Sequence, residues 1–84
     1  AFQFHSQGNI SEAAKYYQYC INEGFADAKI FSNFCVLLRG IGKLKEAELS
    51  VRKAIKIDPN DAFADLNLGG ILKGLGNLKE NYQL

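Results

Sequence analysis

Few residues in this chain have the types and spacing that chemistry requires. They are two glycine-rich stretches, RGIGK (39–43) and KGLGN (73–77), two cysteines, Cys20 and Cys35, and one histidine, His5. A phosphate-binding loop needs a glycine five residues before its Gly-Lys pair and Ser or Thr after it. Leu37 and Leu44 stand at those places, so RGIGK is not such a loop. A dinucleotide fingerprint lacks its third glycine after Gly40 and Gly42, and again after Gly74 and Gly76, and no strand pattern precedes either. Glycine reads here as a helix stop. Cys20 and Cys35 fall among apolar residues and read as compact hydrophobes. With one histidine they offer too few ligands, too far apart, for a metal. His5 has no Ser, Cys or Asp placed to form a nucleophilic triad. The expectation is a protein that is not an enzyme and uses no cofactor or metal.

The elements that carry these glycines are repeated. LRGIGKLKE (38–46) returns as LKGLGNLKE (72–80), 34 positions later, and SQGNISE (6–12) lies in the same phase. Gly8, Gly42 and Gly76 share one slot, Ile10, Leu44 and Leu78 a second, and Glu12, Glu46 and Glu80 a third. A fixed period in this range is the mark of a repeat architecture.

Each period reads as helix, turn, helix. Phe31, Phe34, Cys35, Leu38 and Ile41 form an apolar stripe at helical spacing, predicting a helix over 28–39. A second helix is predicted over 45–57, burying Leu44, Ala47, Val51, Ala54, Ile55 and Ile57, with Glu48 and Arg52 paired one turn apart on the wet side. DPND (58–61) is a turn: Pro59 cannot continue the helix and Asp61 suits an N-cap. Further helices are expected over 62–73 and 11–22, the latter capped by Ser11, and residues 1–7 read as the end of another. Turns are expected near Gly8, Gly24, Gly42, Pro59 and Gly76. No strand pattern appears, so the fold class is all-α.

At 84 residues the chain is at most one small domain. Ten Lys and Arg against nine Asp and Glu give no electrostatic reason to expect nucleic acid or anionic lipid. No apolar run approaches the roughly 20 residues that span a bilayer. The reading is therefore a cytoplasmic protein with no nucleic acid and no membrane as partner. The chain has no Met and opens in mid-period, and the expectation is a fragment of a longer repeat protein.

Paired helices every 34 residues resemble the tetratricopeptide repeat, whose loose pattern is W-x2-L-G-x2-Y, then A-x3-F, a further small residue and a late Pro. The middle period supplies Phe31, Phe34, Cys35, Leu38, Ala47, Val51, Ala54 and Pro59; the third supplies Leu68, Gly69 and Leu72. The first supplies Phe4, Ala13, Tyr17 and Cys20. Asn81 departs from the pattern by standing where Ala13 and Ala47 stand in the earlier periods.

The resemblance implies a right-handed superhelical stack of antiparallel helix hairpins, an α-solenoid of about two and a half repeats. It divides the chain into a partial repeat over 1–27, a full one over 28–61 and a partial one over 62–84. It implies a protein-interaction module that holds an extended peptide against the first helices. The expected peptide-binding residues are Lys29, Ser32, Asn33, Val36 and Arg39 on one helix, Phe63, Leu66, Asn67 and Lys73 on the next, and His5 before them. Asn33 and Asn67 form an expected amide row, similar to the ladder lining a repeat-bearing glycosyltransferase, and His5, Arg39 and Lys73 form a basic row. The carboxylate clamp of chaperone-binding members needs basic residues where Phe63 and Asn67 stand, so a chaperone tail is not the expected ligand.

Two alternatives remain open. The chain is a targeting arm of a larger enzyme such as a glycosyltransferase, or it is a self-assembly element. In the latter a homodimer forms through terminal half repeats, with Leu68, Ile71, Leu72, Leu75, Leu78 and Tyr82 at or near the contact.

Overall fold

The computed structural model describes residues 7–83, with side chains placed for residues 9–77. Four helices and no strand occur among them: α1 (Gln7–Asn22), α2 (Ala28–Gly40), α3 (Leu44–Ile57) and α4 (Ala62–Gln83). The class is all-α, and the helices pack on one another.

Local chemistry sets most of the boundaries. α1 and α2 end the same way, each on a glycine in the left-handed region, Gly24 at φ +80° and Gly42 at φ +84°. Around Gly42 the Lys43 N–H donates to the Leu38 carbonyl (2.8 Å) and the Gly42 N–H to that of Arg39 (3.1 Å). Around Gly24 the Phe25 N–H donates to Cys20 (2.8 Å) and the Gly24 N–H to Ile21 (3.3 Å). This paired arrangement satisfies carbonyls that a helix end leaves without partners. Phe25 packs its ring back over Tyr19, at 6.3 Å between centroids.

At the other ends, Asp27 caps α2 by accepting from the Ile30 N–H (2.9 Å), a cap the apolar stripe alone does not announce. Asp61 accepts from the Phe63 N–H at the start of α4 (3.0 Å), as expected of an N-cap. The Asp58–Asp61 turn is tied by the Asn60 N–H to Asp58 Oδ1 (3.3 Å). Arg52 and Glu48 pair at 3.0 Å on the wet side of α3.

The core sits where α2, α3 and α4 meet. Cys35, Ala47, Val51, Ala54, Ala64 and Ile71 have no exposed surface and Leu38 almost none, with Phe31, Phe34, Ile55, Leu68 and Leu75 packed around them. Small residues at 47, 54 and 64 let the helix axes approach, and Val51 and Ile71 fill the space between. Cys20 and Cys35 are both buried and both free thiols, as compact hydrophobes should be. Ile41 and Ile57, expected in the stripe, are 41% and 53% exposed because each lies at the very end of its helix, past the packed turns.

Three expectations are corrected. α1 is already helical at Gln7, the first described residue, so Ser11 is not its cap and Gly8 lies inside the helix. α4 does not stop at Lys73: it runs through Gly74 and Gly76 to Gln83 as a single helix of 22 residues. Neither glycine adopts the left-handed backbone that made Gly42 a stop, and Leu, Lys and Glu around them are good helix formers. Ile71, expected at a dimer contact, is fully buried in the core instead. Of the expected helix end over residues 1–7, residues 1–6 lie outside the described residues. At about 1.5 Å per residue, α4 alone accounts for most of the longest dimension of the molecule, 42 Å.

Candidate functional site: a three-helix groove

Two faces of α2 are used differently. Cys35 and Leu38 turn to α3 and the core, while Asn33, Val36 and Gly40 turn to an open groove. The groove has a volume of about 560 Å³. α1 forms one wall with Asn9, Ile10, Ala13 and Tyr17; α2 forms the floor with Asn33, Val36, Leu37 and Gly40, extended by Ile41 just past its end; Phe63 closes one end from the start of α4. Tyr17 is fixed by Phe34, whose ring lies 5.7 Å from its own. Apolar walls around two amides suit a segment that buries side chains while its backbone keeps hydrogen-bonding partners.

Three of the sequence-derived residues therefore share the groove: Asn33, which is exposed, Val36 at 44% and Phe63 at 51%. Lys29, Leu66 and Lys73 are exposed but do not line it. Ser32 is buried rather than exposed, with its hydroxyl lacking a partner, because it falls on the packed side of α2 one position before the groove. His5 lies outside the described residues.

The two asparagines are not equivalent. Asn67 is 7% exposed, and its Oδ1 accepts a long 3.5 Å hydrogen bond from Arg39 Nη1. Its Nδ2 is buried without a partner. Leaving such a donor unmade costs about 1–3 kcal/mol. The Arg39 guanidinium crosses from α2 onto α4 at Gly70. A Cβ there would overlap it, lying 2.8 Å from Cζ, so glycine at 70 is what lets the head group in. Arg39 makes no ion pair among the described residues. The expected ladder is thus one open amide at 33 and one capped amide at 67.

The α1 side of the groove is not part of the expected binding surface, although Ala13 and Tyr17 hold repeat-pattern positions.

A second, shallower cavity of about 310 Å³ lies on the opposite side, among α1, α2 and α3. There Lys53 sits over the Phe31 ring, 5.9 Å from its centroid, and the Ser50 hydroxyl donates to the Phe31 carbonyl at 2.8 Å.

Two titratable groups among the described residues are shifted from their ordinary values. Burial pushes the Cys35 thiol up, partly opposed by the Arg39 charge. A hydrogen bond with Cys20 raises the Tyr16 phenol. Neither group is poised as a nucleophile near neutral pH. Among the described residues no group of three or more His, Cys, Asp or Glu is placed to hold a metal ion, and no helix is long and apolar enough to cross a membrane. No protein-family model, curated protein or solved structure matches the chain.

Proposed function

We propose that this chain is a helical-repeat interaction module of the tetratricopeptide kind that binds an extended peptide in the groove between α1, α2 and the start of α4. On this reading α2–α3 is one complete hairpin of a right-handed solenoid, flanked by partial units. The observation that carries it is the groove itself. It lies on the face of α2 that the resemblance assigns to ligand, it is largely apolar, and it keeps Asn33 open beside Val36 and Phe63. Its volume falls in the range of about 300–1,000 Å³ common to ligand sites. The bound peptide would set apolar side chains against Ile10, Val36 and Phe63 and hydrogen-bond its backbone to Asn33.

The test is selection of random 12-residue displayed peptides on the 84-residue chain, followed by anisotropy titration of the winners. Asn33→Ala should weaken binding by about 1 kcal/mol, the net worth of one hydrogen bond. Val36→Glu should abolish it, because a carboxylate would be desolvated in an apolar groove. A selection that yields no binder, or binders indifferent to Val36→Glu, overturns the reading.

A further inference from the structure

The second cavity has a face of α3 along its edge that nothing in the chain covers. Glu46, Leu49, Ser50 and Lys53 follow i, i+3, i+4, i+7 spacing and form one stripe two turns long. All four line the cavity, and Ile21, Phe31, Phe34 and Leu38 supply its apolar surface. Leu49 is 66% exposed, and among the described large hydrophobics only Leu66 shows more. Glu46 and Lys53, at the two ends of the stripe, are exposed and make no ion pair among the described residues. An apolar middle between charged ends is the make-up of an interface, with a dry centre and a wet rim.

The middle can leave water without stranding a polar group. Ser50 is 7% exposed, and its hydroxyl already donates to the Phe31 carbonyl at 2.8 Å. Lys53 sits over the Phe31 ring, 5.9 Å from its centroid, so its ammonium is partly ordered before any partner arrives.

The order of the stripe says what fits it. Turning α3 end for end about the midpoint between Leu49 and Ser50 exchanges Glu46 with Lys53 and Leu49 with Ser50. A second α3, antiparallel to the first, therefore offers an ammonium to the carboxylate and a carboxylate to the ammonium. The same surface then serves both partners, as a two-fold interface requires. The other charges of α3 fit the exchange. Glu48 and Arg52 hold each other at 3.0 Å. Lys45 exchanges with Ala54, and Lys56 with Lys43, which lies outside the helix where water screens it.

We propose that two copies of this chain pair through α3, antiparallel about a two-fold axis between Leu49 and Ser50. Glu46 of each copy meets Lys53 of the other, and the two Leu49 side chains leave water together near the axis. The peptide groove stays free, since the two cavities share no lining residue. One helix face is small against the roughly 800 Å² per partner of a standard interface, so the pairing is weak and reversible.

Sedimentation equilibrium of the 84-residue chain, from about 5 to 500 µM, covers the affinity of so small an interface. The wild type should pass from monomer to dimer over that range. Glu46→Lys or Lys53→Glu turns two attractive contacts into two repulsive ones, because the axis repeats each, and should weaken the dimer about tenfold. Both substitutions in one chain should restore it. An equimolar mixture of the two single variants should pair more tightly than either alone. Both side chains are exposed, so helicity at 222 nm should not change. A wild type that stays monomeric throughout overturns the pairing. A dimer that the single variants leave intact, or that the double variant fails to restore, overturns α3 as the contact.

Discussion

Gly42 and Gly76 occupy the same slot of the same nine-residue phrase, and replacing each by alanine should change stability in opposite directions. Contacts do not enter, because a Cβ at either position meets no atom within 4 Å. The backbone alone decides. Gly42 has φ +84°, a conformation that costs an L-residue about 1–2 kcal/mol. Gly76 lies inside α4 with no left-handed backbone, where alanine gains about 0.5–1 kcal/mol over glycine. The two variants should therefore differ by roughly 1.5–3 kcal/mol, the sum of those two effects. For a domain of this size each kcal/mol moves the melting temperature by about 4–8 °C. Gly42→Ala should melt about 4–16 °C below the wild type, and Gly76→Ala about 2–8 °C above it. Circular dichroism at 222 nm, followed through the thermal transition, measures both. Two shifts of the same sign would show that the phrase has one conformation in both places and would refute the reasoning.

Two further outcomes follow from burial. Ile71→Ala removes a side chain with no exposed surface and should cost about 2–5 kcal/mol, whereas Leu72→Ala, at 43% exposure, should cost far less; urea unfolding of the pair shows whether the inner face of α4 is core. Burial holds the folded-state pKa of Cys35 above its unfolded value, so its contribution to stability is fully present below about pH 8.5, the ordinary thiol value, and is lost as pH rises through the folded pKa. Urea midpoints between pH 8 and 9.5 should fall more steeply for the wild type than for Cys35→Ala, and equal slopes would remove the thiol from the account.

The sequence and the structure agree closely over α2 and α3. There the apolar stripe, the glycine stop and the Asp-Pro turn all act within one helical turn of the boundary they set, so local pattern suffices. They part at Gly8 and at Gly74–Gly76, where the same glycine signal sits inside a helix. A glycine permits a reversal without enforcing one. What holds the reversal at Gly42 is the burial of Ala47, Val51 and Ala54 that follows it, a contact between elements. Asn81 replaces the first of these in the last period, and the gain that would hold a second reversal is reduced. The departure of Asn81 from the repeat pattern was visible in the sequence. Its consequence was not, because it depends on weighing a packing contact against an uninterrupted helix ladder.

The site shows a related limit of reading by register. Period 34 places Asn33 and Asn67 in one row and Arg39 and Lys73 in another, and treats the rows as parallel. The structure ties them together: Arg39 reaches across 28 residues to Asn67, and Gly70 leaves the room for it. A basic residue on one helix thus caps the amide on the next, burying Asn67 while Asn33 stays open in the groove. The same offset of 28 residues relates His5 to Asn33, but histidine has neither the length nor the five-donor fork of arginine. A row that is periodic in residue type is therefore not periodic in access. On the proposed reading, recognition in this groove uses the Asn9 and Asn33 amides among apolar walls rather than a row at 33 and 67, so shape fit along α1 and α2 matters more to a bound peptide than a repeated hydrogen-bond register.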